Sequence, residues 1–71
     1  MLAPSKETID SVEILSALSD PDRLSIYLCV SRAGEKGILV DDISDQLGFV
    51  PRRTASALRW LQRVRIVDLK I

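Results

Sequence analysis

The chain has 71 residues, of which 46% are hydrophobic, so we expect one small domain that folds but is only marginally stable alone. It has no histidine, and its one cysteine, Cys29, excludes an internal disulfide and argues against a metal site of thiolate and imidazole ligands. Apolar runs are far shorter than the roughly 20 residues of a membrane-spanning helix, and the N-terminus does not resemble a secretory signal. We therefore expect a cytoplasmic protein, with Cys29 as a reduced thiol in the core.

The formal net charge is zero, but the charges are distributed unevenly along the chain. Residues 1–50 contain four basic and nine acidic side chains, a formal charge of −5, whereas residues 51–71 contain six basic side chains and one acid, a charge of +5. One end of the molecule is therefore predicted to be cationic. A local basic surface of this kind favours a nucleic-acid-binding protein, although the neutral total argues against very tight non-specific binding.

A first helix is predicted to follow a disordered segment at residues 1–4. Ser5 is a suitable N-cap, and apolar residues at helical spacing continue to about Ser19. The apolar face is broad for so short a chain, so we predict that part of it contacts a second copy in a homodimer. The residues expected at this interface are Ile9, Val12 and Leu15.

Helix-capping signals predict two further helices. Asp20 is the expected N-cap of the second, with Pro21 in its first turn and an end near Ala33. Asp41 or Asp42 is expected to cap a third helix of about two turns, with Ser44 on its outer side. Gly48 ends this helix in the left-handed conformation.

Short apolar segments predict a small sheet. Residues 38–40 suffice for one edge strand, and a final strand over residues 65–71 is expected to pair with them. We therefore predict a mainly α fold over residues 1–71, with four helices and a minimal two-strand sheet.

The fourth predicted helix, residues 51–64, is amphipathic and begins with Pro51 at its first position. Its apolar side consists of Thr54, Ala57, Leu58, Leu61 and Val64. A second stripe, at i, i+4, i+7 and i+11, consists of Arg52, Ser56, Arg59 and Arg63. Arginine is permanently charged and donates forked hydrogen bonds to phosphate or guanine.

A short helix, a glycine, a turn and a longer amphipathic helix form the helix-turn-helix pattern, here over residues 42–64. The leading hypothesis is that residues 51–64 are a recognition helix for double-stranded DNA. The alternative is an ordinary core helix with a solvated charged face.

Several runs of the sequence resemble the arsenical-repressor (ArsR) group of winged-helix regulators. These runs are ALSDPDRLSI at 17–26, VDDISDQLG at 40–48, RTASALRWL at 53–61 and RIV at 65–67. The resemblance implies a winged-helix-like domain in a homodimeric transcriptional regulator, with one helix per subunit in the DNA major groove. It also implies that the groove is contacted by Arg52, Arg53, Ser56 and Ala57, and that phosphates are bound by Arg59 and Arg63.

Two departures from this family concern metals and chain length. Leu39 and Asp41 stand where the metal-sensing members have cysteines, so we expect no metal and no cofactor. Helix capping and solvated charge explain Asp41, Asp42 and Asp45 better than a cation site does. The sequence given stops at Ile71, before the position of the family's second wing strand and last helix.

Other functions remain open at this point. An enzyme is improbable, because no acid–base pair, activated nucleophile or phosphate-binding glycine loop is visible. The main alternative is a protein–protein interaction module with a winged-helix-like fold and no DNA binding. Trp60 is expected to fill space beneath the final strand, whereas an exposed Trp60 would indicate a protein interface or stacking on nucleic acid.

Overall fold

A computed structural model of the chain describes residues 1–5 and 11–69. Within these residues the protein is mainly helical, with a two-stranded antiparallel sheet, as the sequence predicts. None of the helices in this part of the chain is long and apolar enough to cross a membrane. The elements are, in order, β1 (Leu2–Pro4), α1 (Ser11–Leu18), α2 (Pro21–Ala33), a 3-10 turn (Gly34–Lys36), α3 (Val40–Leu47), α4 (Pro51–Arg63) and β2 (Val67–Leu69).

The start of α2 confirms the capping prediction. Asp20 has extended backbone angles, and its carboxylate Oδ2 accepts a hydrogen bond from the Arg23 backbone N–H at 3.0 Å. Pro21 follows at the first helical position, where a missing N–H is harmless. α2 extends to Ala33, and Gly34 ends it with a φ of +68° that a residue with a side chain rarely adopts.

The sheet differs from the prediction at both of its strands. β1 pairs with β2, with Leu2 opposite Leu69, and Leu2 also exchanges two backbone hydrogen bonds of 2.9 Å with Ile38. The predictions that residues 1–4 are disordered and that the last strand pairs with residues 38–40 are therefore wrong. The reason is burial: the Leu2 side chain is 3% exposed in the core, so the N-terminal segment occupies the position between Ile38 and β2.

Helix α3 begins two or three residues earlier than predicted. Its N-cap is Leu39, with no side-chain cap, so the prediction that Asp41 or Asp42 caps this helix is wrong. Both carboxylates lie in the first turn instead, where they favourably face the positive end of the helix dipole. Gly48 ends α3 in the left-handed conformation as predicted, with φ +69° and ψ +28°.

The core lies where α2, α3, α4 and the sheet meet. Cys29 is buried there, as expected, and its thiol donates a hydrogen bond to Gln46 Oε1 with an Sγ–O distance of 3.2 Å. The largest fully buried side chains are Ile26, Val30, Ile43, Thr54, Leu61 and Val67. Because these residues come from four elements, the position of α4 is fixed by contacts on several sides.

The end of α4 is a Schellman motif with an arginine in the usual glycine position. Arg65 has a φ of +62°, and its backbone N–H donates to the Gln62 carbonyl oxygen at 3.1 Å. The Ile66 backbone N–H donates to the Leu61 carbonyl oxygen at 3.2 Å. This turn directs the chain from α4 into β2, at the cost of a left-handed conformation at a residue with a Cβ atom.

Candidate nucleic-acid interface

Helix α4 has one buried and one exposed side, as its sequence pattern predicts. The buried residues are Thr54, Ala57, Leu58 and Leu61, with Val64 buried just after the helix. The exposed residues include the whole predicted stripe of Arg52, Ser56, Arg59 and Arg63. Ala57 is 6% exposed and belongs to the hydrophobic core, so it is mainly a packing residue, and its assignment to the DNA groove stays a prediction.

A buried pair of hydroxyl groups joins α4 to α3. Ser44 Oγ donates a hydrogen bond to Thr54 Oγ1 at 2.8 Å, and the two residues are 4% and 0% exposed. The prediction that Ser44 lies on the outer side of α3 is therefore wrong. Each hydroxyl satisfies the other where water is absent, which allows two polar residues at the contact of the helices.

Arg53 differs from the rest of the α4 arginines because it is held by two neighbours. Its Nε donates to Asp22 Oδ2 at 2.7 Å, and its Nη2 donates to Asp22 Oδ1 at 2.6 Å. Its guanidinium carbon lies 3.9 Å from the centroid of the Phe49 ring. The first turn of α2 and the turn before α4 therefore both restrain this side chain.

The ion pair changes the acidity of both partners. Hydrogen bonding to Arg53 lowers the pKa of Asp22 from its ordinary value of 3.8, and hydrogen bonding to Asp22 raises the pKa of Arg53. Both groups are therefore charged throughout the neutral range. The family resemblance predicts Arg53 as a groove-contacting residue, but nothing in the sequence predicts that Asp22 and Phe49 contact it. No local pattern links Asp22 to a residue 31 positions later.

The three arginines of the stripe, unlike Arg53, are not held by an ion pair within the described residues. Within residues 1–5 and 11–69, Arg52, Arg59 and Arg63 form no ion pair. The guanidinium carbon of Arg63 lies 5.4 Å from the centroid of the Trp60 ring, which is a favourable contact that leaves the charge uncompensated. The stripe therefore presents three positive charges to solvent.

Trp60 is 44% exposed, which corrects the expectation that it fills the core. The guanidinium carbon of Arg23 lies 4.8 Å from its ring centroid, and Arg23 Nε also donates to the Ala17 carbonyl oxygen at 2.6 Å. Trp60 is thus held at the surface by arginines from α2 and α4. Together with Arg63 it lines a groove against α1.

An open cleft of about 380 Å³ lies between the N-terminal end of α2 and the first turns of α4. Its walls carry charges of both signs, with the Asp22–Arg53 pair among them. The side chains that line it are Asp20, Asp22, Arg23, Val50, Arg52, Arg53, Ser56, Ala57 and Trp60. All four predicted groove-contacting residues therefore meet at this cleft.

The predicted dimerisation residues are exposed where the structure describes them. Val12 is 72% exposed and Leu15 is 70% exposed, both on α1, whereas Ile9 lies outside the described residues. A groove between α1 and the end of α4 begins at Val12. Its lining residues are Val12, Glu13, Ser16, Trp60, Arg63 and Val64.

The described part of the chain contains no group of three or more histidine, cysteine or acidic side chains placed to hold a metal ion. Burial raises the pKa of the Cys29 thiol, against a smaller opposing effect of the Arg32 charge. A thiol with a raised pKa is a weak nucleophile and a weak metal ligand. The geometry around Cys29 is therefore that of a packing residue.

Comparison of the chain with known protein families, with curated proteins and with solved structures finds no match.

Proposed function

We propose that this protein binds double-stranded DNA in a sequence-specific manner, as a small transcriptional regulator and not as an enzyme. In this proposal α3, the turn at residues 48–50 and α4 act as the helix-turn-helix of a winged-helix-like domain, with α4 in the major groove. This is also the function that the sequence resemblance to ArsR-type regulators implies.

The observation that supports this function best is the exposed arginine stripe on a firmly packed helix. Arg52, Arg59 and Arg63 are exposed and form no ion pair with any other residue that the structure describes, and the opposite side of α4 is anchored in the core. Fixed positive charges of this kind favour the binding of DNA, because each phosphate that they neutralise releases condensed counterions.

A homodimer is part of the proposal. The longest dimension of the chain is 30 Å, and two copies related by a two-fold axis can place their α4 helices about 34 Å apart, one turn of B-DNA. The exposed apolar residues Val12 and Leu15 on α1 suit the contact between the copies. We expect Leu15→Glu to shift a dimer to monomers in sedimentation equilibrium, with little dependence on salt.

The test of DNA binding is a titration of duplex DNA at several salt concentrations. For three phosphates neutralised per subunit, six in the dimer, the logarithm of the dimer's binding constant should fall with the logarithm of salt concentration with a slope of about −5.4. Arg59→Ala should weaken binding to all sequences and reduce the steepness of this slope by about 0.9 per subunit, about 1.8 for the dimer. Arg32→Ala is the matched control, because it removes one exposed arginine at the far end of α2.

A variant with alanine in place of the four arginines on α4 gives the clearest contrast. Equal affinity of this variant and the wild type for duplex DNA would exclude the proposed function. The substituted residues are Arg52, Arg53, Arg59 and Arg63.

One specific observation favours a second candidate function, a protein–protein interaction module. Val12, Leu15 and the half-exposed Trp60 place apolar surface around the groove between α1 and α4. Such a surface is typical of a protein interface, where tryptophan is enriched. Binding of a protein partner there would depend little on salt and would be lost in Val12→Asp but retained in Arg59→Ala.

A further inference from the structure

The Arg53 side chain is held in one orientation before any ligand arrives. Asp22 accepts two hydrogen bonds from it, and the Phe49 ring lies against the flat face of its guanidinium group. The arginine side chain is nevertheless 50% exposed, so part of the group faces solvent. Arg53 is therefore both restrained and accessible.

The geometry of the ion pair determines which donors remain for a ligand. A guanidinium group has five N–H bonds, and Asp22 takes the Nε–H and one of the two N–H bonds on Nη2. Two N–H bonds on Nη1 and one on Nη2 remain. One N–H bond on Nη1 and the remaining one on Nη2 point in the same direction from the end of the group. Such a pair of parallel donors can bind O6 and N7 of guanine in the major groove.

The restraint distinguishes Arg53 from a simple phosphate contact. An exposed ion pair by itself stabilises a fold very little, since ordering two side chains offsets the attraction. The same ordering is useful for recognition, because a side chain already fixed loses less entropy on binding. Arg52 and Arg59, which form no ion pair within the described residues, suit phosphates, whose binding requires charge more than exact orientation.

We propose that Arg53 reads one guanine through its two end-on donors, and that Asp22 and Phe49 are positioning residues that hold it for this purpose. This inference rests on the proposed DNA binding and specifies which residue provides sequence preference. It also gives the carboxylate of Asp22 a role although it lies 31 residues from Arg53 and on a different helix.

The test begins with selection of preferred sites from a randomised duplex library by the wild-type protein. Affinities are then measured for the selected duplex and for a duplex with the critical guanine replaced by adenine. For the wild type we expect a preference for guanine of about 5- to 150-fold, the usual range for a bidentate arginine contact. Asp22→Asn should lose most of this preference, because its amide presents N–H groups to the guanidinium donors.

Two further variants distinguish the effect of the orientation of the Arg53 side chain from the effect of its charge. Arg53→Lys keeps the positive charge but loses the fork, so it should lose the preference while retaining affinity for the adenine duplex. Asp45→Asn is the matched control, since it removes an exposed carboxylate from α3 and should keep the wild-type preference. The substituted side chains are all exposed or half-exposed, and a thermal melt of each variant verifies folding.

Three results would overturn the inference. If Asp22→Asn binds both duplexes more tightly with the guanine preference intact, Asp22 competes with phosphate and does not position Arg53. If Arg53→Lys retains the full preference, another residue reads the base. If Arg53→Ala weakens binding to both duplexes equally and lowers the salt slope by about 0.9 per subunit, Arg53 is a phosphate contact. Absence of any duplex binding by the wild type would instead exclude the proposed function itself, and this inference with it.

Discussion

Thr54→Val removes the hydroxyl that accepts the Ser44 hydrogen bond while keeping the shape of the side chain. The two residues are almost completely buried, so the remaining Ser44 hydroxyl has no access to bulk water. Leaving a buried hydroxyl without its partner costs about 1–3 kcal/mol of unfolding free energy. For a domain of this size, each kcal/mol lowers the melting temperature by about 4–8 °C.

A double-mutant cycle isolates the contribution of this pair. Ser44→Ala and Thr54→Val should each destabilise the protein, whereas the double variant should lose clearly less than the sum, because neither hydroxyl is then left unsatisfied. Urea denaturation followed by circular dichroism gives the four unfolding free energies. Effects that add to within about 0.5 kcal/mol would refute the argument, since they would show that the two hydroxyls do not depend on each other.

Three smaller predictions concern other parts of the fold. Arg65→Gly should stabilise the protein by about 0.5–1 kcal/mol in urea denaturation, because glycine relieves the left-handed strain, whereas Arg59→Gly at an exposed position inside α4 should destabilise it by a similar amount. Cys29 should react with a thiol reagent at pH 8 much more slowly in the native protein than in urea, and equal rates would contradict its burial and raised pKa. The pKa of Asp22 is lower in the folded than in the unfolded state, so its contribution to the free energy of unfolding should be constant at neutral pH. This contribution should disappear as the pH falls below 3.8 and then below the lower pKa of the folded state. Asp22→Asn should lack this part of the acid dependence; identical acid-unfolding curves for the two proteins would contradict it.

The features predicted correctly from the sequence are those with local signals. The buried and exposed sides of α4 follow from helical periodicity, and the start of α2 follows from an Asp-Pro pair that suits a helix N-terminus. Gly48 likewise marks the end of α3, because the left-handed conformation there favours glycine. Each of these depends on residues within a few positions of one another.

The features that the sequence did not predict depend on contacts between distant segments. Leu2 has no periodic pattern around it, so its burial between Ile38 and β2 was not visible. Ser44 was placed outward because it is polar, although Thr54, on the inner side of α4, offered a partner. The restraint on Arg53 depends on the packing of α2 against α4, and no pattern within either helix indicates it.

The proposed function requires that the exposed side of α4 is the surface that contacts DNA. The most direct measurement is a titration of ¹⁵N-labelled protein with a short duplex, followed by two-dimensional NMR at two salt concentrations. We predict that the largest shift changes occur at Arg52, Ser56, Arg59 and Arg63, and that they diminish at higher salt. Changes confined to Val12 and Leu15 on α1, or no changes at all, would contradict the claim.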